Sequence, residues 1–172
     1  TIKSLTPQGL DYVFFTNSGS ECVDTAMKMA RAYWRQQGVS GKTRFIGRGR
    51  GYHGVNFGGI SVGGIGANRK LFGQGVEADH LSHTLLPGNV FGVVPDILTL
   101  AKQLTNGAVP MGAVVASADI YQTMMDKGGP DYMLEFPHGY TYSGHPVACA
   151  AASAALALLQ REQLPQRVAS MA

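Results

Sequence analysis

The order of apolar and polar positions along the chain predicts strands and helices in turn. A buried strand is predicted at residues 12–16, where β-branched and aromatic residues run together. After a polar turn at residues 17–20, apolar residues recur every three or four positions up to Trp34, which predicts a helix that ends at Gly38. Strands that alternate with helices indicate an α/β fold.

The rest of the chain continues this alternation. A short strand is predicted at residues 43–46, and the glycine-rich region after it is too flexible for a long helix. Two more strands are predicted at residues 97–101 and 111–117, followed by a short helix at 120–126. The last helix, residues 147–160, is apolar on nearly all faces, so we expect it to be fully buried.

Composition adds two features to this pattern. Only 15% of the 172 residues are charged, which is low for a globular domain and favours burial in a core or against a partner. Glycine is in excess, with 23 residues, and these concentrate between Gly47 and Gly75. The chain begins at Thr1 without Met, close to a strand, as expected for a piece of a longer protein.

Charge and cysteine content exclude several classes of protein. A net charge of +3 is too weak to indicate nucleic-acid binding. The longest apolar stretch, residues 146–159, is too short to cross a membrane. Cys22 and Cys149 lie far apart and form neither a disulfide framework nor a pair of metal ligands, so we expect no metal and a reducing, cytoplasmic compartment.

The first candidate site is the junction between the first strand and the first helix. Gly19 lets the backbone approach an anion at the helix N-terminus, and Ser18 and Ser20 add hydroxyl donors, as in phosphate sites. The alternative is a capping box of Ser18 with Glu21, which is the commoner use of such a sequence. The spacing leaves both interpretations open.

The second candidate is a glycine-rich motif in the middle of the chain. Gly49, Gly51 and Gly54 match the dinucleotide fingerprint of an NAD-binding oxidoreductase, but no helical pattern follows them as that fold requires. A tightly packed or mobile loop is the simpler interpretation. Within it, Tyr52 offers a stacking face and His53 a polar group.

Two further candidates lie in the second half of the chain. Lys102 ends an apolar strand, where desolvation would lower its pKa and free the amine as a nucleophile; a surface lysine is the alternative. Residues 138–146 are rich in hydrogen-bond donors and precede the last helix. Their two histidines lack the spacing of a zinc site, and an N-terminal cap is the alternative there.

Taken together and in this order, these segments resemble class III pyridoxal-phosphate aminotransferases, most closely the ω-amino acid–pyruvate, or β-alanine–pyruvate, group. The resemblance is carried by four stretches, FFTNSGSECVDTAMKMARAYWR, GRGRGYHGVNFGGISVGG, FGVVPDILTLAKQLTNGAVPMGAVV and HGYTYSGHPVACAA. It implies that residues 1–172 are an incomplete fold type I large domain, with a mostly parallel sheet flanked by helices. It also implies a homodimer or higher homo-oligomer, with active sites at the subunit interface.

The resemblance also implies roles for single residues. The turn of residues 18–20 would hold the phosphate of pyridoxal phosphate, which Thr141 would reach from the neighbouring subunit. Tyr52 would stack on the pyridine ring, and His53 would shape the pocket. Lys102 would form the internal Schiff base. The implied reaction moves an amino group from an ω-amino acid or amine, such as β-alanine, to pyruvate, giving alanine and an aldehyde or semialdehyde.

The chain departs from the family pattern in three places. The segment before Thr1 and the C-terminal small domain after Ala172, with its substrate-binding arginine, are expected to be absent. A central segment is also expected to be missing between Asn89 and Val90. In the family that segment carries an Asp-Glu-Val motif whose aspartate keeps the pyridine nitrogen protonated. A catalytically incompetent remnant therefore stays open as an alternative function.

Overall fold

The computed structural model describes residues 1–81, 94–130 and 132–171, and the expected junction between Asn89 and Val90 lies outside them. Helices and strands alternate along the described chain, as predicted. In order they are β1 (Leu10–Thr16), α1 (Gly19–Gln36), β2 (Phe45–Arg48), α2 (Phe57–Val62), α3 (Gly66–Phe72), β3 (Ala78–Leu81), β4 (Ile97–Ala101), β5 (Gly112–Ser117), α4 (Ala118–Lys127), α5 (Pro146–Arg161) and α6 (Leu164–Met171). Single turns of 3₁₀-helix cover Ile2–Leu5 and Lys102–Thr105.

Three strands form one sheet in the order β1-β5-β4, and both pairings are antiparallel. Val115 of β5 lies opposite Val13 on one side and Leu98 on the other. The expectation of a mostly parallel sheet is wrong for these three strands. β4 and β5 are joined by a short connection without an α-helix, and such a connection favours antiparallel neighbours because parallel strands need a long crossover.

The core lies on both faces of β5, whose Ala113, Val114 and Val115 are fully buried. Successive strand residues point to opposite faces, so each face packs against a different set of helices. On one face Val114 joins a cluster with residues of α1 and α4, and on the other Ala113 joins residues of α5. The result is a layer of helices on each side of the three-stranded sheet.

Helix α5 is formed as predicted, but the expectation that it is fully buried is wrong. Ala148, Ala152 and Leu156 are buried against the sheet at spacings of four residues. Val147 and Leu158 on other faces are 60% and 42% exposed. The helix has one layer of the described chain to pack on, so only one apolar stripe is covered.

The glycine-rich part of the chain contains a second sheet, the parallel pair β2 and β3. It forms two short helices, α2 and α3, as expected for a region that excludes a long helix. The expectation that no helix follows Gly54 is wrong, since α2 begins at Phe57. Packing there is backbone to backbone: a Cβ at Gly47 would collide with Val62 O, and one at Gly59 with His53 O.

Candidate functional site

The first part of the site is the turn between β1 and α1, residues 17–20, here called the phosphate turn. Ser18 is the N-cap of α1, and its Oγ accepts a hydrogen bond from the Glu21 N–H at 3.2 Å. The Glu21 carboxylate accepts from the Asn17 N–H at 2.7 Å. The Ser18 N-cap is therefore confirmed, but the Glu21 carboxylate bonds the N–H of the residue before the N-cap, so the second half of the predicted capping box is shifted by one residue. The N–H groups of Gly19 and Ser20, the first of the helix, have no acceptor within the helix. They lie at the positive end of the helix dipole.

A loop from the glycine-rich region packs directly on this turn. The Val55 N–H donates to Ser20 Oγ at 3.1 Å. Gly54 has a φ of +89°, and a Cβ there would lie 2.5 Å from Ser20 Oγ and 2.7 Å from Ser20 Cα. Only glycine combines this backbone conformation with so close an approach. The loop of residues 49–54 is therefore held against the phosphate turn.

Lys102 comes to the same place from the end of β4. Its neighbour Ala101 lies beneath the turn, with Cβ 3.4 Å from where a Cβ on Gly19 would be. Lys102 has a φ of +53°, a left-handed conformation that is strained for lysine and that concentrates at functional sites. Its Nζ lies 5.8 Å from the centroid of the Tyr52 ring. Three segments that are distant in sequence thus meet.

The surroundings of these side chains differ from the expected ones in one respect. Lys102 is exposed, so the desolvation expected at the strand end is not provided by the described residues. Tyr52 is 55% exposed and presents a free ring face beside the amine. Burial, and to a smaller extent the nearby His80, lower the pKa of His53, so the neutral imidazole is favoured there.

Thr141 lies apart from this group. It is exposed in the turn before α5, and no hydrogen bond links it to the phosphate turn within the described part of the chain. Its neighbour Tyr140 reaches the first turn of α1, where its hydroxyl donates to Glu21 O at 3.4 Å. The proposed role of Thr141 towards a neighbouring subunit stays a prediction.

A second group of side chains, in which Thr25 of α1 contacts His138 and Tyr140 of the segment before α5, was not identified from the sequence. Thr25 is fully buried, and its Oγ1 lies 2.8 Å from His138 Nε2 and 3.4 Å from the Tyr140 hydroxyl. The signal was present, because Thr25 shares the buried face of α1 with Cys22 and Met29. A polar residue on an apolar helix face needs a partner.

Among the described residues, no three side chains of His, Cys, Asp or Glu come together in a way that could hold a metal ion. No described helix is both long enough and apolar enough to cross a membrane.

Comparison with known proteins decides the family. The model of aminotransferase class-III matches residues 1–87 and 82–172. The chain belongs to the class-III aminotransferases. It is 42% identical to the omega-amino acid–pyruvate aminotransferase of Pseudomonas putida and 41% identical to the beta-alanine–pyruvate aminotransferase of Pseudomonas aeruginosa. Each comparison covers 99% of this chain and 57% of the relative, so the chain spans little more than half of their length.

Solved transaminase structures confirm the predicted type of fold. The (S)-enantioselective omega-transaminase of Thermomicrobium roseum superposes with a TM-score of 0.85 at 27% identity, over 95% of this chain and 54% of that one. The PLP-bound amine transaminase of an uncultivated Pseudomonas species gives 0.82 at 29% identity, over 91% and 54%. Membership of this class-III aminotransferase family leaves no support for the NAD-binding alternative at Gly49, Gly51 and Gly54.

Proposed function

We propose that this class-III chain forms the cofactor-binding part of a pyridoxal-phosphate-dependent aminotransferase that moves an amino group from an ω-amino acid or amine to pyruvate. The observation that carries the proposal is the meeting of the phosphate turn, the Tyr52 loop and Lys102 at one place. β-Alanine is the proposed donor type, and alanine and an aldehyde or semialdehyde are the products. The names of the two Pseudomonas relatives support this choice of substrates.

The residues at this place suit pyridoxal phosphate in three respects. The N-terminus of α1 offers free N–H groups and the Ser18 and Ser20 hydroxyls to a phosphate dianion. Tyr52 offers an exposed aromatic face for a flat ring. Lys102 supplies a primary amine beside that face, which is the group that reacts with the cofactor's aldehyde.

The roles of the chain's own residues follow from this arrangement. Ser18, Gly19 and Ser20 would bind the phosphate and so fix the position of the cofactor, while Tyr52 would support its ring. Lys102 Nζ would hold the cofactor covalently, and its free amine would accept the proton that leaves the donor carbon. When bound, the cofactor supplies the electron sink that makes this proton acidic. Lys102 must be neutral part of the time to act as this base.

Assembly and completeness belong to the proposal as well. We propose a homodimer in which the exposed Thr141 contributes to the site of the neighbouring subunit. We also propose that a central segment is missing between Asn89 and Val90. Two findings support that gap. The family model matches in two separate stretches, which overlap at residues 82–87, and the Pseudomonas putida alignment runs over 257 positions, 85 more than the chain's 172 residues.

A remnant that binds the cofactor without turnover is the second candidate function. It is favoured by the sequence, which lacks the Asp-Glu-Val motif expected in that central segment. Lys102 is also exposed, so the described residues do not exclude water from the amine. Such a remnant would keep the phosphate turn and the lysine and lose only the later chemical steps.

The direct test is addition of pyridoxal phosphate to the purified chain, followed by borohydride reduction and mass spectrometry of the peptides. We expect a new absorbance band and a stable adduct on Lys102. Lys102→Ala should lose both, whereas Lys70→Ala, which removes an exposed lysine of α3, should keep both. An adduct of equal yield in the Lys102→Ala protein would contradict the assignment.

A second measurement separates the two candidate functions. Steady formation of alanine from β-alanine and pyruvate by the loaded protein would establish turnover and refute the remnant. An adduct on Lys102 without any alanine would support the remnant instead. Absence of any adduct would overturn both.

A further inference from the structure

A cluster of side chains joins helix α1 to the segment that precedes α5. The half-buried His138 ring lies nearly parallel to the Phe14 ring of β1, with their centroids 5.6 Å apart. Its Nε2 lies 2.8 Å from Oγ1 of the fully buried Thr25. The Tyr140 ring packs edge-on against the imidazole at 5.1 Å, and its hydroxyl lies 3.4 Å from the same Thr25 oxygen.

The chemistry of the donors fixes the direction of these hydrogen bonds. The Lys28 ammonium can only donate, and its Nζ lies 3.3 Å from His138 Nδ1, so Nδ1 is the acceptor. The ring proton of a neutral imidazole then resides on Nε2 and is donated to Thr25 Oγ1. The Thr25 hydroxyl is left to donate to Tyr140, whose own hydroxyl donates to Glu21 O.

Glu21 is the residue at which this chain of hydrogen bonds reaches the phosphate turn. Its N–H donates to Ser18 Oγ and its carboxylate accepts from the Asn17 N–H. Its carbonyl oxygen receives the Tyr140 hydroxyl at 3.4 Å. All three polar groups of one residue are therefore engaged, two with the turn itself and one with the His138 segment.

We propose that His138 is a positioning residue for the phosphate turn. As the neutral Nε2–H tautomer it aligns Thr25 and Tyr140, and through Glu21 these hold the turn in the shape that receives a phosphate group. This inference rests on the proposed function, because it concerns the same turn. His138 lies outside the turn, and its effect on ligand affinity should depend on whether the ligand carries a phosphate group.

The charged groups around His138 favour this neutral form. Asp24, Glu21 and Lys28 face it from α1 and Tyr140 from its own segment, whereas β1 contributes the uncharged Phe14. Burial and the Lys28 ammonium lower the pKa of His138 below its ordinary 6.5, against a smaller opposing effect of the two carboxylates. A second proton would turn Nδ1 into a donor that faces the Lys28 donor, so that contact would become repulsive while Nε2 continued to donate to Thr25 Oγ1.

The first experiment compares the affinities of the chain for pyridoxal phosphate and for pyridoxal, which lacks the phosphate. His138→Gln should weaken binding of pyridoxal phosphate about tenfold, the order expected for the loss of one well-placed hydrogen bond. Tyr140→Phe, which keeps the ring and removes the hydroxyl, should weaken it about threefold. Pyridoxal should bind equally well to both variants and to the unaltered chain.

The matched control is His145→Asn, which removes a histidine from the N-cap of α5 and keeps a residue that can cap. It should leave the affinity for both ligands unchanged. Equal affinities in all variants would overturn the positioning role, and so would an equal loss for pyridoxal and pyridoxal phosphate. If the unaltered chain binds neither ligand, the proposed function fails as well, so the two failures are distinguishable.

The second experiment needs no cofactor. Nitrogen NMR of the histidine rings should show the Nε2–H tautomer for His138, and Lys28→Gln should raise the pH at which it titrates. An Nδ1–H tautomer, or a titration unchanged by Lys28→Gln, would overturn the proposed direction of the hydrogen bonds. This variant alters an exposed side chain, so we expect it to fold.

Discussion

Two regions of this chain are stabilised in different ways. The sheet region, formed by β1, β4 and β5 with α1, α4 and α5, buries side chains. The glycine region, residues 45–81, buries a small set of side chains, Ile60, Ser61 and Val62, and relies on close approach of backbone at its glycines. Among the described residues, the largest fully buried side chains are Leu10, Val114, Val115, Thr16, Thr25, Cys22 and Ser61, and only Ser61 lies in the glycine region. Ile46, Phe57, Leu71 and Leu81 of the glycine region are instead exposed.

The difference matters for function because the candidate site lies where the two regions meet. The sheet region contributes the phosphate turn and Lys102, and the glycine region contributes Tyr52 and Gly54. Their contact depends on the absence of a side chain at Gly54, against which Ser20 packs. The sheet region thus contributes the turn and the lysine, and the glycine region contacts them through the backbone of Gly54 and Val55. The same kind of substitution should therefore change the free energy of unfolding by different amounts in the two regions.

The largest effect should come from a cavity in the sheet region. Leu10→Ala removes a side chain that is only 1% exposed, and we expect it to lower the free energy of unfolding by about 3 kcal/mol. The matched control in the glycine region is Leu71→Ala, at a leucine that is 75% exposed, which should cost less than about 0.5 kcal/mol. Urea unfolding followed by circular dichroism measures both. Similar midpoints for the two variants would contradict the comparison.

A smaller but local effect should come from a methyl group added in the glycine region. A Cβ at Gly59 would collide with His53 O, and a backbone atom cannot move aside as a side chain end can. We expect Gly59→Ala to cost about 2 kcal/mol and to release the Tyr52 loop. Gly66→Ala is the control, since nothing lies within 4 Å of a Cβ there. Hydrogen exchange should rise in residues 45–81 for Gly59→Ala alone, and a rise confined to β5 would contradict the prediction.

The same contrast explains how far the sequence could predict the structure. In the sheet region, side-chain patterns are strong: the run at residues 12–16 and the helix stop at Gly38 correspond to β1 and to a glycine with a φ of +81° just after α1. The family resemblance also brought Lys102 and Tyr52 to one site, and the structure places them together. These features depend on local sequence or on long matching motifs.

Other features depend on contacts between segments that local patterns do not encode. The helix α2 after Gly54 was missed because its glycines signal flexibility, whereas here they permit close packing. The exposure of Lys102 and of one side of α5 depends on which layers cover them. The pairing of His138 with Thr25 joins positions 113 residues apart, and the periodicity of a local sequence pattern cannot predict such a contact.

A smaller effect should come from a buried serine hydroxyl of the glycine region. Ser61 Oγ accepts from the N–H groups of Gly75 and Val76 at 2.9 and 3.1 Å, and so fixes the chain that leads into β3. Ser61→Ala should cost about 1 kcal/mol, because two amides lose their partner. Ser4→Ala, in the 3₁₀ turn that precedes β1, removes an exposed serine hydrogen bond to Thr1 O and should have no measurable effect. Thermal unfolding of both variants tests this, and equal melting temperatures would contradict it.

The smallest effect is the share of the loss of stability at low pH that comes from His53 of the glycine region. Because burial lowers the pKa of His53 in the folded chain, the unfolded chain binds a proton more readily as the pH falls below about 6.5. The stabilisation from the neutral ring is complete above that pH and is lost as the pH falls towards the folded-state value. His53→Gln should therefore show a smaller loss of stability between pH 7.5 and pH 5 than the unaltered chain. Urea midpoints at the two pH values measure this difference, and an equal or larger loss in the variant would show that His53 is not the group responsible.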